Sequence, residues 1–297
     1  MRYRVSHRTE YSYSAPVRNS LGLAHLTPRA LPWQRVASHA VTVAPAPGDT
    51  SADADAYGND VTYFHVTEPH QRLEVDAVSE VTVLTPRYDE DALRIAWEDA
   101  RPLAGPPRPG GWAASEFALE SPKAAHARAA HEYAAASLAP GRPLGEAATD
   151  LMHRIHADFD YDSTATTVTS TVEHVLRERA GVCQDFAHLT LACLRSHGLA
   201  ARYVSGYLAT QPPPGKERVV GADASHAWVA VWVPGSGDWL SIDPTNDQWA
   251  GDRYVTVAWG RDYADVSPVK GVIFTKAKRS TLRVSVDVAP LEERPAA

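Results

Sequence analysis

The chain has 297 residues, 44% hydrophobic and 22% charged, a balance that suits a globular protein of about two domains with a substantial buried core. With 29 Lys and Arg against 36 Asp and Glu the formal charge is −7, so neither nucleic acid nor an anionic membrane is an expected partner. No stretch is apolar for long enough to span a bilayer, the first residues lack the apolar run of a secretory signal, and Cys183 and Cys193 on one predicted helix stand ~15 Å apart, beyond disulfide reach; a cytoplasmic protein with free thiols is expected.

In chain order, Tyr3, Val5, His7, Thr9, Tyr11 and Tyr13 alternate with charged and small polar residues, the pattern of a half-buried strand. Further β-branched, alternating segments at 36–43, 61–66 and 73–83, with a turn at Tyr57-Gly58-Asn59-Asp60, predict an antiparallel β-sandwich over residues 1–100. A Pro/Gly-rich stretch at 101–111 opens a linker, residues 101–120; it lacks the Gly-Lys-Ser/Thr ending of a phosphate loop. Helical patterns follow at 121–138, 145–157 and 170–179, within a second domain of residues 121–297. Near the end, Leu282, Val284, Val286 and Val288 alternate with polar residues, a strand that either closes a sheet in the second domain or pairs back to the first.

Between these lies the segment that carries chemistry. Val182, Phe186, Leu189 and Cys193 recur at helical spacing, with Gly198 as the stop, so they form one buried stripe and Cys193 is a core residue. Cys183 falls off that stripe in the first turn, where unpaired N–H groups and the positive end of the helix dipole favour a thiolate. Residues 225–233 then read as a strand, Pro234-Gly235-Ser236-Gly237 as a turn, and residues 238–243 as the returning strand. If the turn sets Val233 opposite Asp238, Trp228 faces Asp243 and His226 faces Thr245, which places His226 and Asp243 on one face as diagonal neighbours. A thiol, an imidazole and a carboxylate so arranged are a nucleophile, its acid/base and the orienter of that base.

Four motifs in order, Gly181-Val182-Cys183-Gln184-Asp185-Phe186-Ala187, Ala201-Arg202-Tyr203-Val204-Ser205-Gly206-Tyr207, Ser225-His226-Ala227-Trp228-Val229 and Asp243-Pro244-Thr245-Asn246, resemble the bacterial transglutaminase-like family of papain-type thiol enzymes. The segment 260–269 and the β-rich first hundred residues are similar to that family too, so the resemblance covers nearly the whole chain. Ala230 departs from it, standing where relatives often carry an acidic residue. The resemblance implies an α+β fold, with a helical lobe bearing the nucleophile packed on an antiparallel sheet bearing the base, and it implies Cys183 as nucleophile, His226 as general acid/base and Asp243 as its partner.

The expected reaction is acyl transfer from a peptide or side-chain amide through a thioester, without a metal or cofactor. Water as second nucleophile gives a peptidase or amidase, the favoured reading since nothing marks an amine site; a primary amine gives a transglutaminase, and a non-catalytic protein-binding module is a third possibility. Tyr161, Gln184, Tyr207 and Trp228 are candidate substrate contacts, and a long polar loop at 210–222 is placed to flank the cleft. His153 and His156 could share a helix face but have no third ligand nearby in sequence, and Asp158, Asp160 and Asp162 lack the Gly and the downstream Glu of a calcium loop. All five read as surface or turn residues.

Overall fold

The computed structural model describes residues 1–103, 105, 108–167, 170–210, 225–235 and 237–291. Its N-terminal part contains strands β1 (Arg2–Ala24), β2 (Gln34–Ala44), β3 (Asp49–Ala54), β4 (Asp60–Val66) and β5 (His70–Val83). Short helices α1 (Glu90–Leu93), α2 (Gly111–Ser115) and α3 (Arg128–Ala134) lead to α4 (Leu144–Asp158). Next come β6 (Asp160–Tyr161), α5 (Val172–Glu178), β7 (Ala180–Gly181) and α6 (Cys183–Ser196). The chain then forms β8 (Ala201–Leu208), β9 (Ser225–Trp232), β10 (Trp239–Asp243), β11 (Gln248–Trp249), β12 (Tyr254–Gly260), β13 (Val269–Thr275) and β14 (Ser280–Pro290). The fold class is α+β, as the sequence predicts.

The N-terminal strands are antiparallel, but they form one seven-stranded sheet curved into a half-barrel rather than two stacked sheets. The difference originates in β1, which is nearly twice as long as its alternating segment. Along its first half it pairs with β5 and β14, and along its second half with β4 and β13; the register slips between Ser12 and Val17 and again between Val17 and Asn19. A bulge at that point bends the strand, so one strand serves two hydrophobic clusters. Tyr3 and Val5 join Val81, Val83, Val286 and Val288 against the second domain, whereas Tyr13 and Val17 pack with Phe64, Leu73 and Val75 inside the curve. Of the two alternatives for the last strand, β14 takes the second, running from Tyr3↔Pro290 to Tyr13↔Ser280. Residues 269–290 therefore sit on the N-terminal sheet, although the sequence groups 121–297 together. The predicted helix at 121–138 shrinks to α3, because Pro122 lies in a turn closed by the Ser121↔Ala124 bridge.

In the second domain α6 lies between a five-stranded sheet, ordered β11-β10-β9-β8-β12, and the helices α3, α4 and α5. Packed from both sides, it is buried on every face from Asp185 to Arg195, not along a single stripe. Its polar residues are satisfied internally. Arg195 gives its guanidinium to the carbonyls of Phe117 (3.0 Å), Ala201 (2.8 Å) and Arg261 (2.6 Å), and to the Ser121 hydroxyl (3.2 Å). Gly198 ends the helix at φ +80°, in a Schellman arrangement: its N–H donates to the Arg195 carbonyl at 2.8 Å, and that of Leu199 to the Leu194 carbonyl at 3.1 Å. This short stop turns the chain directly into β8, antiparallel to α6, and fixes the N-terminal end of α6 near the strand ends that carry His226.

Candidate active site

Cys183 is the first residue of α6 and is partly exposed, whereas Cys193 is fully buried and its thiol is pushed up by that burial. The helix start is built by Asp185, whose carboxylate accepts the Val182 N–H at 2.9 Å and the Thr166 hydroxyl at 2.6 Å. The first intrahelical bonds are made by the N–H groups of Asp185 and Phe186 to the Val182 carbonyl, at 2.9 and 3.0 Å. The N–H groups of Cys183 and Gln184 precede them, at the positive end of the dipole.

β9 and β10 pair in the expected register, with Leu240 opposite Val231, Ile242 opposite Val229, and the Val233 N–H bonded to the Asp238 carbonyl at 2.8 Å. His226 and Asp243 consequently share a face, and His226 Nε2 meets Asp243 Oδ2 at 2.7 Å. With Nε2 so engaged, Nδ1 is the ring atom left for the nearby Cys183 thiol, which helps to hold the imidazole in its protonated form. The His226 side chain is 10% exposed and that of Asp243 0%. Burial pulls the His226 pKa down, but its bonds to Asp243 and Cys183 outweigh that and raise it well above the usual range. Burial likewise pushes Asp243 up, and is overruled by the donors around it, so the carboxylate stays ionised.

Those donors are numerous. Tyr254 Oη and Asn246 Nδ2 each donate to Asp243 Oδ2 at 2.7 Å, while the N–H groups of Thr245 and Asn246 donate to Oδ1 at 2.9 and 3.3 Å. Behind Tyr254, Gln248 Nε2 donates to its hydroxyl oxygen at 2.7 Å, and Arg253 donates to Gln248 Oε1 at 3.1 Å. Asn246 Nδ2 also lies 3.2 Å from His226 Nε2. Sequence reasoning missed Tyr254 and Gln248, which stand on separate strands with no spacing to betray them. Asn246 had a signal, as the last residue of the Asp-Pro-Thr-Asn motif.

The candidate substrate contacts divide. Tyr161 is 63% exposed, on a two-residue strand paired with Gly181 and within electrostatic reach of Cys183; Gln184 is half-buried beside the thiol. Both lie near Cys183. Tyr207 does not: it is buried with its hydroxyl 3.0 Å from His7 Nδ1, because a β8 side chain at that position faces the N-terminal sheet. Trp228 is also buried, its ring stacked 6.1 Å from His226 and edge-on to Tyr254, so it supports the imidazole from below. The loop at 210–222 falls, after Thr210, outside the described residues. His156 Nδ1 lies 3.1 Å from the Thr245 carbonyl and His153 meets the Asp247 carboxylate, so both brace the turn after Asp243. Among the described residues no group of three or more His, Cys, Asp or Glu is placed to hold a metal.

Comparison with known proteins agrees with this architecture. Residues 3–82 match the bacterial transglutaminase-like N-terminal region and residues 129–244 the transglutaminase-like superfamily. The uncharacterized protein Rv2569c of Mycobacterium tuberculosis is 52% identical over 297 residues, covering 98% of this chain and 93% of that protein. The uncharacterized protein ML0607 of Mycobacterium leprae is 35% identical over 295 residues, covering 98% of this chain and 99% of its own length. A crystal structure from Cytophaga hutchinsonii, provisionally described as a cysteine protease, superposes with a TM-score of 0.74 over 99% of this chain and 93% of its own, at 18% identity, and so shares the fold. The chain is a member of the transglutaminase-like superfamily, with the bacterial transglutaminase-like N-terminal region ahead of its core.

Proposed function

We propose that the protein is a thiol-dependent acyl-transfer enzyme acting on peptide or side-chain amides, with hydrolysis as its principal outcome. The observation that carries this reading is the pairing of His226 Nε2 with Asp243 at 2.7 Å, which leaves Nδ1 for a thiol at a helix start. In this mechanism the Cys183 thiolate attacks the amide carbon and a C–S bond forms. The negative charge moves to the carbonyl oxygen, which the N–H groups of Cys183 and Gln184 stabilise at the helix terminus. His226 gives its Nδ1 proton to the nitrogen as the C–N bond breaks, and the amine or ammonia leaves. The neutral imidazole, still oriented by Asp243, then takes a proton from water as water attacks the thioester; the C–S bond breaks, the acid forms and the thiol is restored.

A primary amine could replace water in the last step, which is the transglutaminase alternative. The triad does not choose between the two; hydrolysis is favoured because, among the described residues, no feature around Cys183 marks an amine site. The acyl donor would be a peptide or protein, and the two free cysteines suit a reducing, cytoplasmic setting. Incubation with a glutamine-containing peptide library, with and without a primary amine, separates the readings. Ammonia or peptide release without amine incorporation supports hydrolysis, and stable amine adducts make the protein a transglutaminase. Cys183→Ala is expected to fold normally and to abolish turnover; activity near the parent level in that variant rejects the reading.

A further inference from the structure

We propose that Asn246 is a second positioning residue for His226, able to hold the imidazole Nε2–H when Asp243 does not. The inference rests on the thiol acyl-transfer reading above. Asn246 is exposed, yet its side-chain nitrogen lies 3.2 Å from His226 Nε2 and 2.7 Å from Asp243 Oδ2, and its backbone N–H donates to Asp243 Oδ1 at 3.3 Å. The amide is thus anchored through its own main chain at the edge of the imidazole. A side-chain amide carries two donors on one side and an acceptor on the other. With the carboxylate in place, Asn246 presents its NH2 and steadies Oδ2. Turned about its last torsion, which has a broad preference, it would present Oδ1 to Nε2–H instead.

The groups facing His226 from each packed element define what such a turn can change. Asp243 and Asn246 approach from the turn after β10, Cys183 from the start of α6 and the Trp228 ring from beneath, while Tyr254 on β12 bears on the ring and on Asp243. In this set Asn246 and Asp243 both reach Nε2. A neutral amide would keep the tautomer and aim of the ring, leaving Nδ1 toward the thiol. It would not supply the charge that stabilises imidazolium, so rescue by Asn246 would be partial.

The experiment reads Cys183 itself and needs no substrate: the rate of its alkylation by iodoacetamide at pH 6, followed by mass spectrometry. Asn246→Ala is expected to lower the rate about threefold and Asp243→Ala about tenfold, the equivalent of one pKa unit. The double variant should fall about tenfold further, and Asp243→Ala with Asn246→Asp should return to within about threefold of the parent. If the double variant matches Asp243→Ala and the added carboxylate restores nothing, Asn246 acts only through Asp243 and the inference fails. A parent protein no faster than free cysteine overturns the acyl-transfer reading itself, a different result. Should Asp243→Ala not fold, as judged by circular dichroism, Asn246→Asp alone decides. Histidine NMR, with His226 assigned by substitution, is expected to show its titration raised by about one pH unit by the nearby charge, and an unmoved titration would place Asn246 away from the ring.

Discussion

Gly206→Ala tests whether the sheet beneath His226 is as tightly built as its geometry implies. Gly206 stands directly opposite His226 in the β8–β9 ladder. A Cβ added there would lie 2.1 Å from the Val255 carbonyl oxygen and 2.6 Å from Cη2 of Trp228, whereas real contacts of this kind need roughly one ångström more. Neither neighbour can yield freely: Val255 is held in the β12–β8 ladder, and Trp228 is 1% exposed, wedged against His226 and Tyr254. Overpacking of this kind costs about 1–3 kcal/mol, or about 2–5 °C in melting temperature for a chain of this size. The functional loss should be larger in proportion, since displacing Trp228 or β12 moves the supports of both His226 and Asp243, and a misplacement of about 1 Å costs ~100-fold in rate. Thermal melts and Cys183 alkylation rates of Gly206→Ala should be compared with Gly251→Ala, where an added Cβ meets Thr85 Oγ1 at an ordinary 3.8 Å. Equal melting temperatures and equal alkylation rates in the two variants would refute the reasoning.

Two buried arginines predict very different responses to the same change. Arg195→Met strands three carbonyls and the Ser121 hydroxyl in the core, and should cost about 3–5 kcal/mol in urea unfolding. Arg202 lies between the rings of Trp239 and Trp259, at 4.2 and 3.5 Å, opposite Ala230 and with no hydrogen-bond partner for its Nε among the described residues; Arg202→Met should change stability by no more than about 1 kcal/mol, and a loss equal to that of Arg195→Met would contradict this. Acid should destabilise the protein through His7 and His188, both lowered by burial to about 4. Because the unfolded chain takes up these protons first, the stability they contribute is complete above about 6.5 and is lost as the pH falls toward 4, about 3 kcal/mol for His7 alone. His226 has the opposite sign, its contribution fading as the pH rises above about 6.5. Urea unfolding at pH 7.5, 5.5 and 4.5 should therefore show a shallower acid loss in His7→Gln than in the parent; identical slopes would exclude His7 as a source.

The hairpin was legible because its physics is local. Once the chain turns back after Val233, period-two alternation leaves one way to put hydrophobic residues of β9 and β10 on common faces, and His226 and Asp243 follow. Cys183 was legible for a similar reason, at the boundary between a turn and a helical repeat. Burial around α6 was not, since a helix packed on one side and a helix packed on both share the same period, and only tertiary neighbours distinguish them. The aromatics misled for an equivalent reason: Tyr207 and Trp228 alternate like any strand residue, and sequence does not reveal that one meets His7 while the other lies under the imidazole. β3 escaped notice because Asp49–Ala54 contains no large apolar residue, and the curvature of the N-terminal sheet because it depends on a bulge inside β1. Tyr254 reaches Asp243 from another strand, a contact that no local pattern encodes.

The most direct measurement is the rate at which iodoacetamide alkylates Cys183 at neutral pH in the parent and in His226→Ala, with Cys193 as an internal buried reference. An imidazole held by Asp243 and acting on the adjacent thiol predicts fast, selective modification of Cys183 that drops to the rate of free cysteine once His226 is removed. Equal rates in the two proteins would show that the sulfur and the ring do not act together, and would leave the fold without its chemistry.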